Sequence, residues 1–357
     1  MDIIYKDNHY DKTDYNEFVK RHIDNPCNIK TMLIMRRTPE LIFAMCMCLE
    51  RNNTVIPIDP AYPKKHIDYI IKDSAPDKII SDIDSYNDLF QEKRSNITQN
   101  DVAYILYTSG STGHPKGVEV TYEALSNFIE GISETIDFSP GKRIACLTTI
   151  SFDIFFLESI VALNKGLTVV LADEEEQRNP KLMAKFIKDN AVDIIQMTPS
   201  RMQLLLNYDK ELICLKSVKE IMIGGEAFPF GLLQTLQEKT TARIYNMYGP
   251  TETTIWSTIS NLTYKDHIDI GRPIKNTEIY IMDDSLTLLP SGQIGEICIG
   301  GKGLAKGYVG RDDLTAEKFI YLPQKPNVRV YRTGDMGRHL PDGDLEYLGR
   351  TDNQVKI

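Results

Sequence analysis

Asp101-Val102-Ala103-Tyr104-Ile105-Leu106-Tyr107-Thr108-Ser109-Gly110-Ser111-Thr112-Gly113-His114-Pro115-Lys116-Gly117 is the most informative stretch of this 357-residue chain. The apolar run Val102 to Tyr107 reads as a buried strand. It empties into hydroxyls, glycines and one lysine. Glycine lets backbone N–H groups converge on oxygens, and Ser and Thr add donors, so the segment has the makings of a polyphosphate cradle. Its spacing is not that of a G-x-x-x-x-G-K-[ST] loop running into a helix. A flexible hairpin turn is the bland alternative, and Lys116 together with the preceding strand weighs against it.

On either side, short β-branched runs alternate with amphipathic stretches, the pattern of parallel sheets covered by helices. Thr31 to Met35, Thr54 to Ile58 and Asp77 to Ser81 read as strands, with helices over Pro39 to Arg51 and Lys64 to Lys72. The alternation returns from Arg143 to Thr148 through helix Ile154 to Lys165, and on to Gly231 to Glu238. After about Thr254 the pattern becomes short strands separated by turn dipeptides such as Ser291-Gly292 and Asp342-Gly343, as in an antiparallel, barrel-like unit. The acidic tract Asp173 to Arg178 reads as a solvated loop. The last residues, Gln354 to Ile357, are strand-like and read as a cut.

The formal charge of -9 offers no basic field for nucleic acid or an anionic membrane. Six scattered cysteines exclude a disulfide scaffold, and Cys46-x-Cys48 lacks the second ligand pair of a zinc site. No apolar signal core opens the chain, and no apolar run of about 18 residues occurs. A soluble, cytoplasmic protein with small-molecule or protein partners is expected.

Further motifs follow in order: Val55-Ile56-Pro57-Ile58-Asp59-Pro60-Ala61-Tyr62-Pro63, Asn246-Met247-Tyr248-Gly249-Pro250-Thr251-Glu252, and Gly295-Glu296-Ile297-Cys298-Ile299-Gly300-Gly301-Lys302-Gly303. Tyr331-Arg332-Thr333-Gly334-Asp335 and Gly349-Arg350-Thr351-Asp352-Asn353-Gln354-Val355-Lys356-Ile357 complete the set. With the Thr108 to Gly117 segment, they resemble the adenylate-forming superfamily, and within it the adenylation domains of nonribosomal peptide synthetases. The resemblance implies an α/β fold of two mostly parallel sheets layered with helices, plus a C-terminal distorted antiparallel barrel. Residues 1–253 would form the layered subdomains, 254–349 the barrel-like subdomain and 350–357 the start of the hinge motif. Asp352 matches the hinge residue. The family's catalytic lysine belongs to a C-terminal lid domain beyond Ile357, so the chain as given is expected to adenylate slowly.

The same resemblance assigns ATP to Thr108, Ser109, Gly110, Ser111, Thr112 and Gly113, with Lys116 on the leaving phosphates and His114 at a variable position. Gly225, Glu226 and Ala227 would lie along the adenine, Asn246, Tyr248, Gly249 and Thr251 beside it, and Tyr347, Arg350 and Asp335 at the ribose. Chemistry agrees. Tyr248 offers a flat ring for stacking, worth ~1–3 kcal/mol by analogy with bases on aromatics, although a core Tyr would look the same. Asp335 accepts hydroxyls when ionised, although a turn Asp bonding its own backbone is the plainer reading. Glu252 suits Mg2+ held on ATP phosphates, unless it is a solvated loop acid.

Substrate choice centres on Ser151-Phe152-Asp153-Ile154-Phe155-Phe156-Leu157, which resembles the F-D-x-S motif of amino-acid-activating domains with Phe155 in place of the Ser. A carboxylate in an apolar pocket demands a cation, and an α-ammonium supplies one. An N-cap Asp is the alternative. The family's pocket positions map to Asp153, Ile154, Leu157, Gln196, Met222, Gly224, Met247, Ile255 and Trp256. Mostly bulky side chains leave little room, so glycine is favoured, with alanine or another small neutral amino acid next. Gln196 stands apart, because its amide could bond a polar substrate group. Aminoacyl-AMP would form and pass to the phosphopantetheine of a peptidyl carrier protein. Competing readings are a D-alanine–carrier ligase, an acyl-CoA-type ligase, or a silent nucleotide-binding module. Departures from the family, among them Arg51-Asn52-Asn53, Lys306, Met336 and a short helix at Tyr15 to Arg21, fall away from the ATP motifs.

Overall fold

The computed structural model describes residues 1–22, 26–82, 101–108 and 115–350. Ser109, Gly110, Ser111, Thr112, Gly113, His114 and Asp352 therefore lie outside the described residues.

A nine-stranded sheet runs, edge to edge, Arg272–Pro273, Thr258–Asn261, Arg243–Tyr248, Glu220–Gly224, Ile194–Met197, Arg143–Cys146, Thr168–Leu171, Ile3–Tyr5 and Asn8–Tyr10. Its centre is parallel and both edges are antiparallel. A six-stranded sheet runs Gly307–Tyr308, Lys116–Thr121, Val102–Thr108, Thr54–Ile58, Lys30–Ile34 and Lys78–Ser81. Residues alternate between its faces as strands require. Met32 and Ile34 pack outward toward helix Lys64–Ser74, while Leu33 and Met35 join a core shared with the larger sheet. That shared core holds the apolar helices Pro39–Glu50 and Tyr122–Thr135 and the helical segment 154–164. On the far side of the nine-stranded sheet, Ala145, Val170, Ile195 and Ile223 cover helices Pro180–Asp189, Pro199–Tyr208 and Phe230–Lys239.

A third, five-stranded antiparallel sheet is built from Thr277–Met282, Gly295–Gly301, Lys325–His339 and Phe319–Leu322, with Leu345–Arg350 on Lys325–His339. The antiparallel pattern expected from Thr254 is present, yet its first two strands extend the nine-stranded sheet, and the separate sheet begins at Thr277. Thr258–Asn261 pairs with Arg243–Tyr248, whose edge is free to take it.

Two expectations need correction. Asp173 to Arg178 is not a loop: Glu174–Arg178 is a short helix. Asp173 caps it by accepting the N–H groups of Glu175 and Glu176, and Glu176 bonds back to the Asp173 N–H. The stretch expected as a uniform helix, Ile154 to Lys165, instead widens to π spacing over Leu157–Val161, between α turns Ile154–Phe156 and Ala162–Asn164. Such local widening is frequent at functional sites.

Gly271 stitches the first and third sheets. Its carbonyl accepts the Leu345 N–H at 2.9 Å, and Leu345 in turn accepts from Ile270 at 2.8 Å. Its φ is +68°, and a Cβ there would meet the Ile259 carbonyl oxygen at 2.0 Å. Gly271→Ala is therefore expected to cost about 2 kcal/mol or more, read as a lower urea midpoint with unchanged slope.

Candidate active site

Three elements converge on one ion pair, two strands of the six-stranded sheet and a turn that follows the nine-stranded one. Lys116 opens the strand opposite Thr108. Glu252 lies in the 3-10 turn Thr251–Thr253, and Tyr308 belongs to the two-residue strand that pairs with Val118. Lys116 Nζ donates to Glu252 Oε1 at 2.8 Å and to the Tyr308 hydroxyl at 3.0 Å, and that hydroxyl donates to Glu252 Oε1 at 2.7 Å. Burial pushes the Glu252 carboxyl up, but the Lys116 charge and the bonds from Lys116 and Tyr308 outweigh it and hold it below the usual carboxylate range. Glu252 is no solvated loop acid, being 5% exposed. Thr108 Oγ1, a register step away, is buried without a partner among the described residues. No three acidic, His or Cys side chains there come together to hold a metal. Glu252 fits a Mg2+ whose remaining ligands are ATP's own phosphate oxygens.

A cleft of about 850 Å3 is lined by Gly225, Glu226, Ala227, Asn246, Tyr248, Gly249, Tyr347 and Arg350. Eight motif positions, spread over more than a hundred residues of sequence, thus share one wall. The Tyr248 hydroxyl donates to Asp335 Oδ2 at 2.7 Å and Arg350 donates to Oδ1 at 2.9 Å, which holds Asp335 in place although it is 1% exposed. Asp335 is no self-capping turn residue. It lies within strand Lys325–His339, and its N–H is bonded by Thr333 Oγ1 at 2.9 Å. The Tyr248 and Tyr347 rings stand 5.9 Å apart at 45°. Sequence reasoning passed over Ser200, Phe228, Asp269 and Glu346, which line the same cleft. It passed over Tyr308 too, although its segment was compared with the family's. Only the fold turns these residues inward.

Asp153 is 6% exposed. It does not cap a helix: its backbone is already helical at φ −63° and ψ −23°, and its side chain makes no capping bond. The Thr251 side chain and the N–H groups of Ile154 and Ile255 favour its charged form without offsetting burial, while Oδ2 has no partner among the described residues. Burial, and secondarily the Glu252 charge, push its carboxyl up to about 6. Ile154, Leu157, Met222, Met247, Ile255 and Trp256 belong to one buried cluster with Tyr104, whose hydroxyl is also unpartnered. Gly224 is backed by Trp256: a Cβ would meet the indole at 2.7 Å and the Met247 carbonyl at 2.6 Å. Thr254 and Ile255, at φ +65° and +64°, carry backbone strain at this spot. Gln196 Nε2 and Trp256 Nε1 are further buried groups without partners.

Residues 81–309 match the family model of the AMP-binding enzymes. The chain belongs to the AMP-binding enzyme family. Among relatives, it is 39% identical over 352 residues to a dimodular nonribosomal peptide synthase of Bacillus subtilis (strain 168), covering 91% of this chain and 15% of that protein. It is 36% identical over 347 residues to tyrocidine synthase 3 of Brevibacillus parabrevis, covering 91% and 5%. This AMP-binding enzyme thus spans a small part of the length of the relatives it matches. Its fold is similar to a four-domain nonribosomal peptide synthetase bound to AMP and glycine, with TM-score 0.83, 30% identity, and coverage of 96% of this chain and 27% of that one. The fold alone is also shared with the synthetase FmoA3 in its α-methyl-L-serine-AMP-bound form, at TM-score 0.86 and 24% identity. No helix among the described residues is long and apolar enough to cross a membrane.

A carboxyl raised by burial has a definite signature. The folded state holds the Asp153 proton up to a higher pH than the unfolded state, so this group's contribution to stability is full below about pH 4 and is lost as pH rises through about 6. Asp153→Asn removes that loss. It should stabilise the chain by on the order of 1–3 kcal/mol at pH 8, with the difference shrinking toward pH 4 in urea titrations; equal stability at both pH values would contradict it.

Proposed function

We propose that the site activates a small amino acid, glycine above others, as its adenylate. One observation carries this reading: Asp153 is a buried carboxylate whose oxygen Oδ2 lacks a partner, and the charge beside it is another carboxylate, Glu252. An α-ammonium answers that deficit, and an acid without an amine does not. Trp256 against Gly224 supports a short side chain, since extra methylenes in a filled site cost ~1–3 kcal/mol. A relative of the same fold is bound to AMP and glycine, which points the same way. Exclusion of alanine would rest on packing and exclusion of larger side chains on the same packing more strongly.

In the proposed reaction a carboxylate oxygen of the amino acid attacks the α-phosphorus of ATP. The new P–O bond forms as the bond to the β-phosphate bridge breaks, and pyrophosphate leaves with that electron pair. The chain's part is placement and charge. Tyr248, Gly225 to Ala227 and Asn246 would seat the adenine; Asp335, held by Tyr248 and Arg350, would take the ribose hydroxyls. Lys116 would turn from Glu252 toward the phosphates, with Thr108 and Thr251 hydroxyls as donors. Mg2+, held by Glu252, would supply positive charge to the phosphate oxygens. Phosphopantetheine on a carrier protein is the proposed acceptor of the aminoacyl group.

ATP–pyrophosphate exchange tests this. Glycine should support exchange more than D- or L-alanine, and acetate, benzoate and long-chain acids should support none. Asp153→Asn should lower glycine-dependent exchange on the order of 10²-fold. Exchange with the amine-free acids at the rate seen with glycine would overturn the assignment.

A further inference from the structure

Glu158 is fully buried on the wide turn Leu157–Val161, and nothing in the adenylation chemistry uses it. Its Oε2 accepts the backbone N–H groups of Leu147 and Thr148, and its Oε1 accepts the Thr148 hydroxyl, each at 2.8 Å. Burial pushes its carboxyl up, and these bonds oppose that together with the charges of Arg37 and Arg201. The two guanidiniums also brace the same strand end, Arg37 by donating to the carbonyls of Cys146, Thr148 and Ala172 and Arg201 to that of Leu147. Burial prevails in the balance, yet in this arrangement three donors converge on the two Glu158 oxygens, so the group serves as an acceptor.

Thr148 has a single hydroxyl proton, and Glu158 has claimed it. Yet Thr148 Oγ1 also lies 3.4 Å from Gln196 Oε1, while Gln196 Nε2 is buried without a partner among the described residues. This setting faces two oxygens with no proton between them and leaves an NH2 group orphaned. The two ends of an amide are told apart by their hydrogen-bond network. Turned over, the amide donates Nε2–H to Thr148 Oγ1, and its carbonyl oxygen takes the place of the orphaned NH2. Gln196 shares its sheet face with Ile194, which packs in the cluster of Leu157, Met222 and Trp256.

We propose that Glu158, acting through Thr148, fixes the Gln196 amide with its carbonyl oxygen toward the amino-acid pocket. Glu158 and Thr148 are positioning residues. The pocket then presents a second acceptor besides Asp153, which suits a ligand N–H and repels a side-chain carboxylate. The identity of that pocket rests on the function proposed above; the setting of the amide does not.

NMR of the chain labelled with 15N at glutamine side chains, without ligand, tests the setting directly. The Gln196 NH2 pair is identified by its loss in Gln196→Met. It should shift in Thr148→Val, return in Thr148→Ser, and shift in Glu158→Gln, whose own NH2 would occupy Thr148 Oγ1 and send the hydroxyl proton to Gln196. Resonances indifferent to Thr148→Val and Glu158→Gln would overturn the proposal. In calorimetry with AMP present, Thr148→Val should weaken glycine about fivefold to tenfold and leave AMP affinity unchanged. If the resonances shift as expected but the unaltered chain binds no glycine, the amide setting stands and the glycine reading falls.

Discussion

A carboxylate enclosed by apolar side chains, with one oxygen lacking a partner among the described residues, is the constraint on which the proposed chemistry depends. Water would have satisfied Asp153 at no cost, and a lysine or arginine would have neutralised it. Among the described residues neither a lysine nor an arginine pairs with it. Beside it, Thr254 and Ile255 adopt left-handed backbone, and Trp256 closes the space over Gly224. Strain and incomplete pairing at one place mark a site kept for a ligand, since each lowers stability and persists only where the surroundings enforce it.

The second anchor is the buried trio of Lys116, Glu252 and Tyr308. Lys116 and Tyr308 come from the six-stranded sheet, and Glu252 follows the edge of the nine-stranded one. The pair keeps Glu252 ionised in a place where burial alone would protonate it. The third sheet contributes Asp335, Tyr347 and Arg350, and it is tied in by Gly271 and by Lys265, whose ammonium bridges Asp269 and Asp344 at 2.6 Å each. Asp269 also accepts the Asn246 side chain through its carbonyl, so the cleft wall and the tether are one network.

These contacts show what the structure does with residues taken from separate motifs. Tyr248, Asp335 and Arg350 were named from separate motifs, and the structure joins them through two hydrogen bonds. The acidic tract after Ala172 misled because charge density outweighed the Asp173 capping box. Helix Ile154 to Lys165 was placed correctly but not its widening, because α and π spacing share the same apolar residues over so short a span.

Period, turn chemistry and motif order determined on their own the alternating strands and helices, the antiparallel final third, and many of the residues that line the cleft, because those signals are local. Tertiary structure alone decided that Lys116 pairs with Glu252, that Tyr308 completes the pair, and that Asp153 finds no cation. Each of these, the last judged among the described residues, depends on which groups from distant segments fill the space around a charge, and no local pattern encodes that.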